Sequence, residues 1–169
     1  MMLRVAAVAI VAALALTGCG GTEPKSETAA GAAPAPPAAG LTVRDPWVKA
    51  ADSGMTAAFG TLVNNTGADV TVQSATSPAS PIELHTMAMK DGEMVMQPQP
   101  DGFVVKAGAS HELAPGGDHL MLMKPSAAIK PGDELTFTLK LGSGDSVEFT
   151  AVAKPFAGAQ ESYEPGTHS

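Results

Sequence analysis

The chain has 169 residues and a formal net charge of −7, from 17 Asp and Glu against 10 Lys and Arg. Without a basic excess to displace counterions from phosphate, the composition argues against a nucleic-acid partner. A single cysteine excludes an internal disulfide, a cysteine-rich zinc site and an iron–sulfur cluster, whereas nine methionines, six of them between Met87 and Met123, stand out.

Residues 1–18 read as a lipoprotein signal peptide. Arg4 supplies a short positive region, and the apolar run Val5 to Leu16 is twelve residues long. A bilayer-spanning helix needs roughly 20, so this run fits the apolar region of a secretory signal instead. It ends in Leu16-Thr17-Gly18-Cys19, a branched apolar residue, two small ones and the lone cysteine. That pattern predicts cleavage before Cys19 and lipidation of its thiol. The protein is then extracytoplasmic, lipid-anchored to a bacterial cell membrane. Residues 19–40 are rich in Gly, Ala and Pro and cannot bury enough surface to offset the entropy of ordering. They are expected to be a disordered linker after the lipidated Cys19, and 157–169 a disordered tail. One domain remains, 41–156.

Within it, short strands alternate with turn signals. Strands are expected at 41–50, 56–63, 70–75, 82–89, 94–97, 103–106, 110–113, 119–123, 134–141 and 146–154. Asn64-Asn65-Thr66-Gly67, Lys90-Asp91-Gly92-Glu93 and Gly142-Ser143-Gly144 mark turns between them. No stretch carries helical periodicity with caps. The fold class is therefore all-β, a single antiparallel sandwich or barrel.

Side chains alternate between the faces of a strand. In the strand at 82–89, Ile82, Leu84 and Ala88 share one face; Glu83, His85, Met87 and Met89 share the other. In the strand at 119–123, Leu120 and Leu122 oppose His119, Met121 and Met123. The short strand at 94–97 sets Met94 and Met96 opposite Val95. Each strand has an aliphatic face for the core, and two of them place His-x-Met on the face left over. One methionine in a strand is usually a filler of core gaps. Two His-x-Met units and a further methionine pair instead assemble imidazole and thioether donors without a thiolate. Thioether sulfur is soft and neutral, and favours Cu(I) over zinc, calcium or magnesium.

These residues carry a resemblance. Glu83-Leu84-His85, Met96 and Pro115-Gly116-Gly117-Asp118-His119-Leu120-Met121-Leu122-Met123 resemble the PCu(A)C family of extracytoplasmic copper chaperones, as do Asp45-Pro46-Trp47-Val48 and Leu135-Thr136-Phe137-Thr138-Leu139. The likeness covers roughly Leu41 to Phe156. Ten residues separate His85 from Met96, and 22 separate Met96 from His119, one more than in the family pattern. The resemblance implies a cupredoxin-like or immunoglobulin-like Greek-key domain. It implies a Cu(I) site with His85, Met96, His119 and Met121 as metal ligands, Met94 being the alternative to Met96. It also implies delivery of copper to the dinuclear copper centre of cytochrome c oxidase, the acceptor being the oxidase copper subunit or a Sco-type protein.

Met87, Met89, Met94 and Met123 are expected as a soft rim around a site near the surface. Both imidazoles must be neutral to bind, so affinity should fall below about pH 6. Glu83 and Asp118 are expected as solvated charges, His111 as an exposed side chain, and His168 as a tail residue. Trp47 is expected in the core. A monomer is expected. No enzyme is expected, since a blue-copper site needs a cysteine thiolate and no catalytic constellation is evident. The alternative to a copper carrier is a non-metal immunoglobulin-like lipoprotein, an interaction or scaffold domain whose methionines merely pack.

Overall fold

A computed structural model describes residues 40–157. The expected signal sequence, Cys19, the expected linker before residue 40, and the residues beyond 157 with His168 lie outside the described residues. Ten strands form: β1 (Leu41–Lys49), β2 (Thr56–Asn64), β3 (Val70–Thr76), β4 (Ile82–Lys90), β5 (Glu93–Pro98), β6 (Phe103–Val105), β7 (Ser110–Leu113), β8 (His119–Leu122), β9 (Glu134–Leu141) and β10 (Ser146–Lys154). Every expected strand is present, and no described residue is helical.

The strands form one sheet in the order β5-β4-β8-β2-β1-β10-β9-β3-β6, with β7 added beside β2. All pairings are antiparallel except β1 with β10, which is parallel, so the sheet is mixed. It wraps around the main apolar core, bringing β3 against β4 and β6 against β7. Leu41, Leu62, Val72, Leu84, Leu120, Leu122, Phe137 and Leu139 lie in that core. Asn64 fastens the seam where β2 meets β6. Its amide nitrogen donates to the carbonyls of Ala68 (2.8 Å) and Val105 (3.0 Å). Its side-chain oxygen accepts from the Thr66 amide (2.9 Å) and hydroxyl (2.7 Å).

Trp47 departs from expectation. The pairing of β1 with β2 slips between Arg44 and Trp47. A one-residue irregularity exchanges the faces of all that follows. Leu41 and Val43 face the core before it, and Val48 after it. Trp47 is thereby turned to the outer face of the sheet, where it packs on Phe59 with ring centroids 4.6 Å apart. The irregularity needs Gly60 opposite, because a Cβ there would meet the Pro46 Cα at 3.1 Å and the Arg44 carbonyl at 3.2 Å.

Candidate metal centre

The outer face of the β5-β4-β8-β2-β1 half of the sheet carries a second, smaller cluster. Ala57, Phe59, Met96 and Met121 are buried in it, and Trp47, Met87 and Met123 pack against it. The alternation read along β4 and β8 is the alternation found: Leu84, Leu120 and Leu122 point into the core, while the histidines and methionines point away from it.

Register brings the donors together. His85 on β4 lies directly opposite His119 on β8, and Met121 lies opposite Glu83 on one side and Ala57 on the other. Met96 on β5 lies opposite Met87 on β4. The two imidazoles have centroids 5.8 Å apart, and Phe59 stands 6.2 Å from His119. Relative exposure is 0% for His85 and His119, 1% for Met96 and 6% for Met121. The four residues singled out in the sequence thus sit in one buried layer on the outer face, roofed by Met87, Met123 and Trp47. Met94 is instead half exposed on the β4–β5 hairpin.

The turn before β8 sets the chemistry of His119. Ala114 N–H donates to the Asp118 carbonyl at 2.9 Å, and Gly117 N–H to the Ala114 carbonyl at 3.0 Å. Gly116 occupies the left-handed region, φ 80°, that closes this turn. The Gly117 carbonyl is left facing the ring, 2.9 Å from His119 Nδ1. A carbonyl can only accept, so Nδ1 carries the proton and the neutral ring has its lone pair on Nε2. Nε2 lies 2.9 Å from the Met96 sulfur. Two Lewis bases therefore face each other inside the protein, an arrangement that a cation between them would satisfy. Donors to one first-row ion, with bonds of about 2.0 Å to nitrogen and about 2.3 Å to sulfur, stand about 3.5 Å apart. A small opening of the pair would admit the ion.

His85 is oriented differently. Its Nε2 lies 2.9 Å from Glu83 Oε2. The carboxylate accepts a hydrogen bond from Nε2–H, which places the lone pair of the neutral ring on Nδ1. Glu83, expected to be merely solvated, keeps one side in water yet holds a buried imidazole, the outer partner that metal-binding histidines commonly have. Asp118 is not its counterpart on β8: it lies 2.8 Å from His111 Nε2. His111 is half-buried rather than exposed, stacked on Phe103 with centroids 5.3 Å apart. Phe59 and Ala57, which wall the site, were not singled out in the sequence. The alternation of β2 was the available signal, with Ala58 and Leu62 turned to the core.

The sequence matches the family model described as "Putative lipoprotein LpqE-like" over residues 41–153. It is 39% identical over 164 residues to "Putative lipoprotein Lxx21020" of Leifsonia xyli subsp. xyli (strain CTCB07), covering 96% of each chain. Among solved structures, apo-DR1885 from Deinococcus radiodurans is similar at 26% identity and TM-score 0.54, covering 86% of this chain and 96% of that one. The Cu(I) form of DR1885 matches at 26% identity and TM-score 0.52, over 71% and 83%. The copper-bound PCuAC domain of PmoF2 matches at 17% identity and TM-score 0.57, over 69% and 93%; that likeness is one of fold.

Proposed function

Because the chain belongs to the LpqE-like lipoprotein family, whose model spans its β domain, we propose that it is an extracytoplasmic, lipid-tethered carrier of Cu(I). His85, Met96, His119 and Met121 would hold the ion, and an acceptor protein would receive it. The observation that carries the reading is the facing pair of His119 Nε2 and Met96 Sδ, 2.9 Å apart. The Nδ1–H of that imidazole already donates to the Gly117 carbonyl. A methionine that only packed would not be aimed at a nitrogen lone pair.

The donor set fits the cargo. Two neutral imidazoles and two thioethers bring no negative charge, which suits a soft monovalent ion and disfavours zinc, calcium and magnesium. The cytochrome c oxidase copper centre, reached directly or through a Sco-type protein, is the acceptor that the family resemblance suggests. Transfer to it would proceed by ligand exchange, each thioether released as an acceptor ligand takes its place. The Cu(I) form of DR1885, similar in fold and 26% identical, supports the cargo assigned here.

The test is a Cu(I) titration of the full chain against a chromophoric chelator, with His119→Ala/Met121→Ala alongside. One tight equivalent in the parent chain, lost in the double variant, is the expected result. A parent chain that takes no copper from the chelator would overturn the proposal and leave the interaction-domain reading.

A further inference from the structure

The methionines are distributed in a way that packing does not explain. The main core of 20 buried residues contains none. Of the seven methionines in the described residues, Met87, Met96, Met121 and Met123 belong to the outer-face cluster or pack on it. Met89 and Met94 continue that face along the β4–β5 hairpin. Met55 stands just before β2, where the pairing of Thr56 with Leu122 runs on toward Met123.

The hairpin pair is the informative one. Met89 lies directly opposite Met94, one rung beyond Met87 and Met96 on the same face. Opposed residues of an antiparallel pair hold their Cβ atoms about 5 Å apart, and successive rungs on one face are about 7 Å apart. Met89 is 64% and Met94 49% exposed, so neither fills a core. β5 is the terminal strand of the sheet, so among the described residues no further strand covers the hairpin's outer edge. The rungs Met89/Met94 and Met87/Met96 make a ladder of thioethers running from solvent inward. It ends at the sulfur that faces His119.

We propose that Met89, Met94 and Met87 form a second Cu(I) site, weaker and open to solvent, which loads the buried one. The site rests on the carrier reading above. Its donors are thioethers alone, so it selects a soft monovalent ion without the affinity that imidazole adds. An ion held by Met89, Met94 and Met87 exchanges Met89 for Met96 and then Met94 for His119 as it moves inward. Copper remains Cu(I) throughout. Each step forms one sulfur or nitrogen bond and breaks one sulfur bond, with no electron or proton transferred.

The experiment uses the full chain and Ag(I), a redox-inert stand-in for Cu(I), read by the methionine methyl resonances. The first equivalent should move the Met96 and Met121 methyls, and the second those of Met89 and Met94. Met89→Leu/Met94→Leu keeps apolar bulk on the hairpin. It should lose the second event and slow Cu(I) loading from a chelator complex several-fold, leaving the final affinity of the buried site unchanged. Methyls of Met89 and Met94 that stay still, or a variant that loads at the parent rate while the buried site fills, would overturn the hairpin site alone. A parent chain whose buried site never fills would overturn the carrier reading, and the loading role with it.

Discussion

The two faces of the β4–β8–β2 ladder are built from the same strands and share none of their chemistry. The inner face presents Leu84, Leu120, Leu122, Ala58 and Leu62 to the main core, with the buried Thr56 and Asn64 at the two ends of β2. The outer face, one residue along each strand, presents Glu83, His85, His119, Met121 and Ala57, with Met96 added from β5. Burying two imidazoles there is costly unless their nitrogens find partners, and Glu83 and Gly117 supply them. The inner face holds the strands in one register, because a slip of one residue would turn every leucine outward. That register in turn sets His85 against His119 and Met87 against Met96. The inner face therefore fixes a geometry that the outer face uses, and substitutions should separate the two roles.

The largest effect on the fold is expected from Leu120→Ala. Leu120 is fully buried between His119 and Met121 in sequence, and truncating such a leucine costs about 2–5 kcal/mol. Its neighbour Met121→Leu keeps apolar volume and should cost less than about 1.5 kcal/mol, yet abolish tight Cu(I) binding. Urea midpoints and chelator competition on both variants check this. Equal losses of stability from the two substitutions would erase the distinction between the faces.

Within the outer face, Glu83→Gln is a finer cut. It leaves shape and fold almost unchanged and replaces the carboxylate that accepts from His85 Nε2. Removing such an outer partner lowers metal affinity by about 10–100-fold. The expected result is weaker Cu(I) binding at an unaltered urea midpoint, with Asp118→Asn leaving copper affinity alone because its partner is His111. A Glu83→Gln chain that binds as tightly as the parent would return Glu83 to the role of a solvated charge.

The division of labour between faces was legible in the sequence wherever a strand alternates without interruption. In Ile82-Glu83-Leu84-His85 and His119-Leu120-Met121-Leu122 every second residue is aliphatic, and period-2 geometry leaves one answer for the rest. The ten strands were legible too, because Asn64 to Gly67 and Gly142 to Gly144 bracket them. Trp47 was not, since its side depends on the irregularity at Asp45 and Pro46 and on Gly60 across from it, two places far apart in the chain. Nor was the role of Glu83. A carboxylate two residues from a histidine can point to water or to the ring, and only the orientation of His85 decides. The choice between Met94 and Met96 turns on how far β5 runs along β4, a matter of register that spacing alone leaves open. The expected signal sequence and linker rest on composition alone and lie outside the described residues.

The smallest effect is expected outside the outer-face cluster, where Asp69 tests whether the seam of the sheet is independent of the site. Lys106 Nζ lies 2.8 Å from Asp69 Oδ2, and Ala107 N–H donates to Oδ1 at 3.0 Å. The Lys106 hydrogen bond, then that of Ala107, hold the carboxyl below its ordinary value of 3.8. A carboxylate whose folded value is lowered stabilises the fold above the unfolded value, and that contribution is lost as pH falls through the folded one. Asp69→Asn should therefore lower the urea midpoint slightly at neutral pH, and the difference from the parent should close as the pH is taken below 3.8. Because both partners are exposed, added salt should shrink it further. Asn keeps an oxygen for the Ala107 amide, so what vanishes is the charged part of the contact. A difference that persisted in acid would mean the contact acts through its geometry and not its charge. A change in Cu(I) affinity in the same variant would mean that the seam and the outer face are coupled through the register they share.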